Sequence, residues 1–179
     1  MANSYLSSKI KLYKSKIDDK GLGLVCIKKI KKGELIIDYS TGRGRFLNSK
    51  DYDILYDRGN HNTMQVDDDL HFVATNEKET EDADFLNHSC NPNCGINGNL
   101  KIASIREIKP KEEITIDYAM AGSSDFKMKC NCKSKNCRKI ITGNDWKIKD
   151  LQKRYNGFFS DYLQKKIDKI NKITFNKNL

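Results

Sequence analysis

The chain has 179 residues, a net charge of +9, 32% charged residues and 37% hydrophobic residues. That length suits one well-buried domain with an appendage and argues against two full domains. No apolar run approaches the ~18–20 residues of a membrane span, and the start, Met1-Ala2-Asn3-Ser4, lacks the basic-then-apolar order of a secretory leader. The expectation is an intracellular protein, cytoplasm and nucleoid or nucleus not being distinguished.

Charge is segregated. Residues 51–84 carry 11 acidic and 2 basic side chains, whereas residues 127–179 carry 15 basic and 4 acidic ones and residues 1–50 carry 12 and 4. An acidic middle between basic ends suggests separate partners, or one extended electrostatic face. The Lys-rich ends raise nucleic acid as a partner and, with the cysteines, a zinc-stabilised nucleic-acid-binding module as a rival reading. Little Arg, an acidic middle and no aromatic interleaving in the basic runs argue against that rival.

From Ile10 to Asp38 the chain reads as short strands. Ile10 to Tyr13, Leu24 to Ile27 and Leu35 to Ile37 are apolar or alternating runs, separated by turns at 18–23 and 31–33. Asp51–Arg58 reads as a short helix, and Met64–Val66 with Leu70–Ala74 as a hairpin around Asp67-Asp68-Asp69. Leu100–Ile105 and Ile114–Tyr118 read as strands, with a turn at Ile108–Lys111 between them. From Tyr162 the apolar spacing predicts an amphipathic helix with a Lys-rich outer face.

Three stretches carry chemistry. Asn87-His88-Ser89-Cys90-Asn91-Pro92-Asn93-Cys94 is too polar and broken for a helix or central strand, and Asn-Pro turns the chain. Its Asn-x-Ser is formally a glycosylation acceptor, set aside because nothing marks the chain as secreted. Glu112 to Tyr118 is a strand ending in Asp-Tyr. Cys130-x-Cys132-x4-Cys137 sits among Lys and Asn, where core packing cannot explain three thiols. In an intracellular chain such thiols read as metal ligands before disulfides. A closed tetrahedral Zn2+ site needs a fourth ligand, which Cys90 or Cys94 supplies if all are cysteines. Cys26 reads as a small core residue.

In this order the three stretches resemble SET-domain protein-lysine methyltransferases with a post-SET zinc module, of the small free-standing type. The resemblance implies a mainly β, β-clip-like fold with a knot-like threading, a zinc module and a C-terminal helical tail. It divides the chain into a SET domain at 8–120 with an insert at about 43–84, a post-SET module at 126–142 and a helical extension at 143–179. It implies S-adenosylmethionine as cofactor and structural Zn2+ held by Cys90, Cys130, Cys132 and Cys137. Tyr118 is implied as the catalytic residue. Lys20, Gly21, Leu22, Gly23, Leu24, Asn87, His88, Asn131 and Trp146 are implied at the cofactor. Tyr39, Thr63, Met64 and Phe85 are implied along the lysine channel. The implied substrate is a basic protein, histone-like or ribosomal, steered by the acidic insert. A catalytically inactive SET protein that only binds a partner is the other alternative.

The chain departs from that pattern at four places. One extra residue separates Tyr39 from Gly42, Thr63 or Met64 falls where an aromatic is usual, Asp84 where Arg is common, and Lys111 where Gly is common.

Overall fold

The computed structural model describes residues 3–15, 17, 21–57 and 63–177. Its strands are β1 (Tyr5–Leu6), β2 (Ile10–Lys14), β3 (Leu22–Cys26), β4 (Leu35–Asp38), β5 (Arg45–Leu47), β6 (Thr63–Asp67) and β7 (Leu70–Val73). They continue with β8 (Asn87–His88), β9 (Cys94–Asn97), β10 (Lys101–Ser104), β11 (Glu113–Ile116), β12 (Lys127–Lys129) and β13 (Ile140–Thr142). Helix α1 covers Ser49–Asp57, α2 Lys149–Arg154 and α3 Asp161–Lys177. Among the described residues no helix is long and apolar enough to cross a membrane.

One sheet runs β1-β4-β10-β9 and a second β2-β3-β11-β8, while β5-β7-β6 and the ribbon β12-β13 stand apart. The first is fixed by an apolar row. Ile102 lies opposite Ile37 on one side and Ile96 on the other, and all three are fully buried. Each such side chain contributes about 1.5–3 kcal/mol by leaving water. A one-residue slip would exchange this row with the Ile36 and Ala103 row on the opposite, also buried, face and break the packing of both, so the register is strongly specified.

The second sheet builds the site. β11 pairs antiparallel with β3 through Glu113↔Val25 and Ile114↔Leu24. On its other edge it pairs parallel with β8 through Thr115↔Asn87 and Ile116↔His88. Parallel neighbours require a long return of chain, and residues 89–112, with β9 and β10, provide it. The polar stretch at Asn87 is therefore a two-residue edge strand beside the last core strand.

The expected elements are present with shifted ends. α1 begins two residues before Asp51, because the Asn48 side chain accepts from the Asp51 amide at 2.9 Å and caps the first turn. The last core strand ends at Ile116. Tyr118 is not on it but opens a 3-10 turn, Tyr118–Met120, capped by the Asp117 carboxylate accepting from the Ala119 amide. The extra residue after Tyr39 is absorbed in another 3-10 turn, Tyr39–Thr41, with Asp38 as its cap. Lys111 takes a φ of +74°, the left-handed conformation that makes Gly the easier residue there.

The extension packs back on the core. Tyr162, Leu163 and Ile167 of α3 are buried, as are Trp146, Leu151, Tyr155 and Phe159 before it. The apolar stripe thins beyond Ile167, Ile170 being already 37% exposed.

Candidate active site and metal centre

Asn87 is where β3, β8 and β11 meet. Its side-chain amide donates to the Leu22 carbonyl at 2.8 Å and to Glu113 Oε1 at 2.9 Å. The same carboxylate accepts from Ser15 Oγ at 2.7 Å and from the Tyr13 hydroxyl. Burial, together with this carboxylate, pushes the Tyr13 phenol up to about 12. Gly23 lies against the cluster: a Cβ there would stand 2.6 Å from Glu113 Oε1 and 2.8 Å from Asn87 Nδ2. Close approach, rather than an unusual φ, demands glycine here.

His88 is buried and joins two halves of the site. Its Nδ1 accepts from the Tyr118 amide at 3.2 Å, so the ring proton sits on Nε2, 3.3 Å from Cys90 Sγ. Burial holds the imidazole down to about 4, overriding the pull of Asp117, so it is neutral at physiological pH. The Tyr118 hydroxyl donates to the Leu86 carbonyl at 3.2 Å. Asp117 is wholly buried. It takes two contacts of 2.7 Å from the Arg138 guanidinium and one of 3.2 Å from the Tyr155 hydroxyl.

Two cavities share a wall at Asn87, Tyr118 and Met128. The larger, about 490 Å³, is lined by Tyr39, Thr63, Met64, Phe72, Phe85 and Phe126, with the carboxylates of Glu79, Glu81 and Asp84. The smaller, about 60 Å³, is lined by Ile17, His88, Lys129, Cys130 and Asn131 besides the shared residues. Burial, aided by the neighbouring Glu81 charge, raises the Asp84 carboxyl to about 6, against the Glu81 amide that donates to it.

The sulfurs of Cys90, Cys130, Cys132 and Cys137 all lie within 4.8 Å of one another. Four sulfurs at ~2.3 Å from one Zn2+ would be ~3.8 Å apart, and Cys90 Sγ to Cys130 Sγ is 3.8 Å. Backbone amides of Cys90, Arg138 and Lys139 donate to Cys132, Cys90 and Cys137 respectively at 3.4–3.5 Å, the donors a thiolate cluster needs. Burial raises the Cys90 thiol to about 11; a cation is what would let it ionise at neutral pH. The set fits a closed structural Zn2+ site.

The expected residues are brought together unevenly. Tyr39, Thr63, Met64 and Phe85 all line the larger cavity, and Tyr39 is fixed by its hydroxyl donating to the Ala83 carbonyl at 2.8 Å. Asn131 and His88 line the smaller. Gly21, Leu22, Gly23 and Leu24 line neither; of these, Leu22 through its carbonyl and Gly23 through its bare Cα adjoin Asn87, and Lys20 lies outside the described residues. Trp146 also lines neither. It is 3% exposed, packed in the core, with Lys147 and Lys166 over its ring. Asp67, Asp68 and Asp69 do not line the larger cavity: Asp69 accepts from the Ser49 amide, and Asp68 from Tyr162 and Lys166 of α3. The acidic lining comes from Glu79, Glu81 and Asp84 of the same acidic insert. Sequence reading passed over Glu113, Arg138 and Tyr155; the Arg directly after Cys137 was the available signal.

This architecture defines a class. Residues 21–119 match the SET domain family, and the chain belongs to it. It is 38% identical over 130 residues to the histone-lysine N-methyltransferase trithorax of Drosophila virilis, covering 68% of this chain and 3% of that one. It is 36% identical over 139 residues to the histone-lysine N-methyltransferase set-2 of Caenorhabditis elegans, covering 72% and 9%. With histone-lysine N-methyltransferase 2B of Homo sapiens it shares 31% over 138 residues, covering 73% and 5%. The chain thus spans a small fraction of these relatives. The fold is also like that of a chain in a crystal structure of an active polycomb repressive complex 2 in the basal state, with a TM-score of 0.50 and 21% identity over 61% of this chain and 15% of that one.

Proposed function

We propose that this protein is a lysine N-methyltransferase that moves a methyl group from S-adenosylmethionine to a lysine amine of a basic, histone-like or ribosomal protein. The observation that carries the reading is the wall shared by the two cavities, where Asn87 and Tyr118 stand between an aromatic channel and a polar cleft. Asn87, His88 and Asn131 offer hydrogen-bonding groups, while Ile17 and Met128 give an apolar wall, a combination suited to an adenosyl sulfonium. When bound, S-adenosylmethionine supplies an electrophilic methyl group.

The chain's own residues do the rest. A free lysine has a pKa near ~10.4, so only about one in 2,500 is neutral at pH 7. The carboxylates of Glu79, Glu81 and Asp84 favour entry of an ammonium, and the rings of Tyr39, Phe72 and Phe85 beyond them disfavour its charge by desolvation. The proton leaves to water and the amine is held for in-line attack. Tyr118 hydrogen-bonds the amine and aims its lone pair; with a reference pKa near ~10, its phenol positions better than it deprotonates. Zn2+ on the four cysteines would hold the β12-β13 ribbon over both cavities. Four clustered thiols also suit a reducing, intracellular compartment. The Lys-rich ends offer contact to nucleic acid that carries the substrate, a contact that weakens with salt.

The test is incubation of the purified chain with labelled S-adenosylmethionine and core histones or a cell lysate, read by mass spectrometry, alongside Tyr118→Phe. Methyl-lysine formed by the wild type and nearly abolished in the variant, with cofactor affinity within a few-fold, is expected. Undiminished transfer by the variant would sink the assignment, and no transfer by the wild type favours a SET protein that only binds.

A further inference from the structure

Outside the SET match, α3 brings one ammonium behind the wall of the larger cavity, against residues that adjoin its lining. Lys166 Nζ donates to Asp68 Oδ1 in the β6-β7 turn, to Tyr162 Oη at 2.9 Å and to Ser123 Oγ at 3.2 Å. It also lies 5.6 Å from the Trp146 ring centroid and 5.0 Å from that of Tyr162. The Tyr162 hydroxyl gives its own proton to Asp68 at 2.7 Å, so the Ser123 hydroxyl is the donor in their 2.7 Å contact. Ser123 then passes the connection inward, its amide donating to Gln65 Oε1 at 2.6 Å. Gln65, Gly122 and Ser124 line the cavity. Gly122 packs so closely on Gln65 that an added Cβ would lie 3.1 Å from its side chain.

We infer that Lys166 and Tyr162 form a clasp that fixes the Gln65 and 121–124 wall of the lysine channel, making the C-terminal helix part of substrate binding. The ion pair to Asp68 alone would do little, because that carboxylate is 74% exposed and screened by water. What distinguishes the site is convergence: one ammonium is held by a carboxylate, two hydroxyls and two aromatic faces. Three separate chain segments, the insert hairpin, the turn after Tyr118 and α3, are tied at that point. None of these groups lies on the Asn87 side, so the clasp bears on the lysine substrate and not on the cofactor. As a role in substrate binding, the inference rests on the methyltransferase reading; as a mechanical clasp, it does not.

Two full-length variants test it, Lys166→Met and Tyr162→Phe, the second keeping the ring that packs in the core. Hydrogen exchange at 121–124 should quicken at least about five-fold in both, with exchange in β10 and β11 unchanged. With core histones as substrate, KM should rise about five- to ten-fold while kcat and S-adenosylmethionine affinity stay within about two-fold. Exchange at 121–124 as slow as in wild type overturns the clasp. Quickened exchange with an unaltered KM overturns its role in substrate binding. If wild type fails to methylate histones, the activity reading fails, and the exchange measurement still decides the clasp.

Discussion

The Arg138 guanidinium grips the Asp117 carboxylate through two contacts of 2.7 Å, one residue before Tyr118. Arg138 also donates through Nε to Asp145 at 2.8 Å, and its amide reaches Cys90 Sγ at 3.4 Å. One residue thus ties the cysteine cluster, the tyrosine that faces both cavities and the C-terminal extension. Fork-to-fork geometry matters here, since a planar guanidinium holds both carboxylate oxygens where an ammonium holds one.

Arg138→Leu should therefore lose about 3–5 kcal/mol of stability, the cost of leaving a buried carboxylate without its partner. Arg138→Lys should lose less, keeping the charge but not the fork. Urea unfolding with zinc present checks both. Equal stability of Arg138→Leu and wild type would show the pair to be dispensable.

Purified protein should carry one Zn2+ per chain, and Cys137→Ser should lose it. Chelation should raise hydrogen exchange first in the β12-β13 ribbon, which has few buried residues of its own, and only later in the sheet of β10 and β4. Elemental analysis and exchange after chelation are the measurements. A metal-free chain, or a disulfide among these four cysteines, would refute the site.

Asp84 gives a pH signature of opposite sign to that of a usual carboxylate. Burial raises its folded pKa to about 6, above ~3.9 for an unfolded Asp. Between those values the folded chain keeps a proton that the unfolded chain has released, so this residue's contribution to stability falls as pH rises from ~4 to 6 and is flat above. Other carboxylates, such as Glu34 and Asp68, are held low by Lys partners and slope the other way. The difference between wild type and Asp84→Asn isolates the effect: the variant should gain relative stability as pH rises through this window. A difference independent of pH from 4 to 7 contradicts it.

Gly23→Ala places a methyl group where Glu113 and Asn87 already stand. We expect S-adenosylmethionine affinity to fall at least about ten-fold, equivalent to ~1.4 kcal/mol. Calorimetric titration reads it, and Gly33→Ala is the control, since a Cβ there meets nothing within 4 Å although its φ is +82°. Equal affinity in wild type and Gly23→Ala would remove Asn87 from the cofactor's neighbourhood.

Much of this was legible before any coordinates. Alternation of Leu100 to Ile105 announced β10, and the order of Asn-His-Ser-Cys, Asp-Tyr and the cysteine triplet announced the family and its fourth sulfur. Elsewhere local reading left depth and direction open, for identifiable reasons. Trp146 could be read as a cofactor cover or as a core anchor, because its place in the chain says nothing of depth; in the fold it is buried. Which acidic residues of the insert line the cavity could not be read, because charge along a run has no direction in sequence: Glu79, Glu81 and Asp84 line it and Asp67-Asp68-Asp69 do not. Tyr118 read as the end of a strand, and a carboxylate cap one residue earlier turned it into a 3-10 turn.

The sequence by itself determined which residue types could do chemistry and which segments could pair, because side-chain chemistry and the period of burial are properties of neighbours along the chain. Only the tertiary structure decided that Glu113 would share its carboxylate among Tyr13, Ser15 and Asn87. It alone brought Arg138 against Asp117, 21 residues away, and Lys166 against Asp68, 98 residues away. Those pairings depend on the parallel return of β8 beside β11 and on the docking of α3. Both are set by burial of distant apolar rows, and no local pattern encodes which polar groups they carry together.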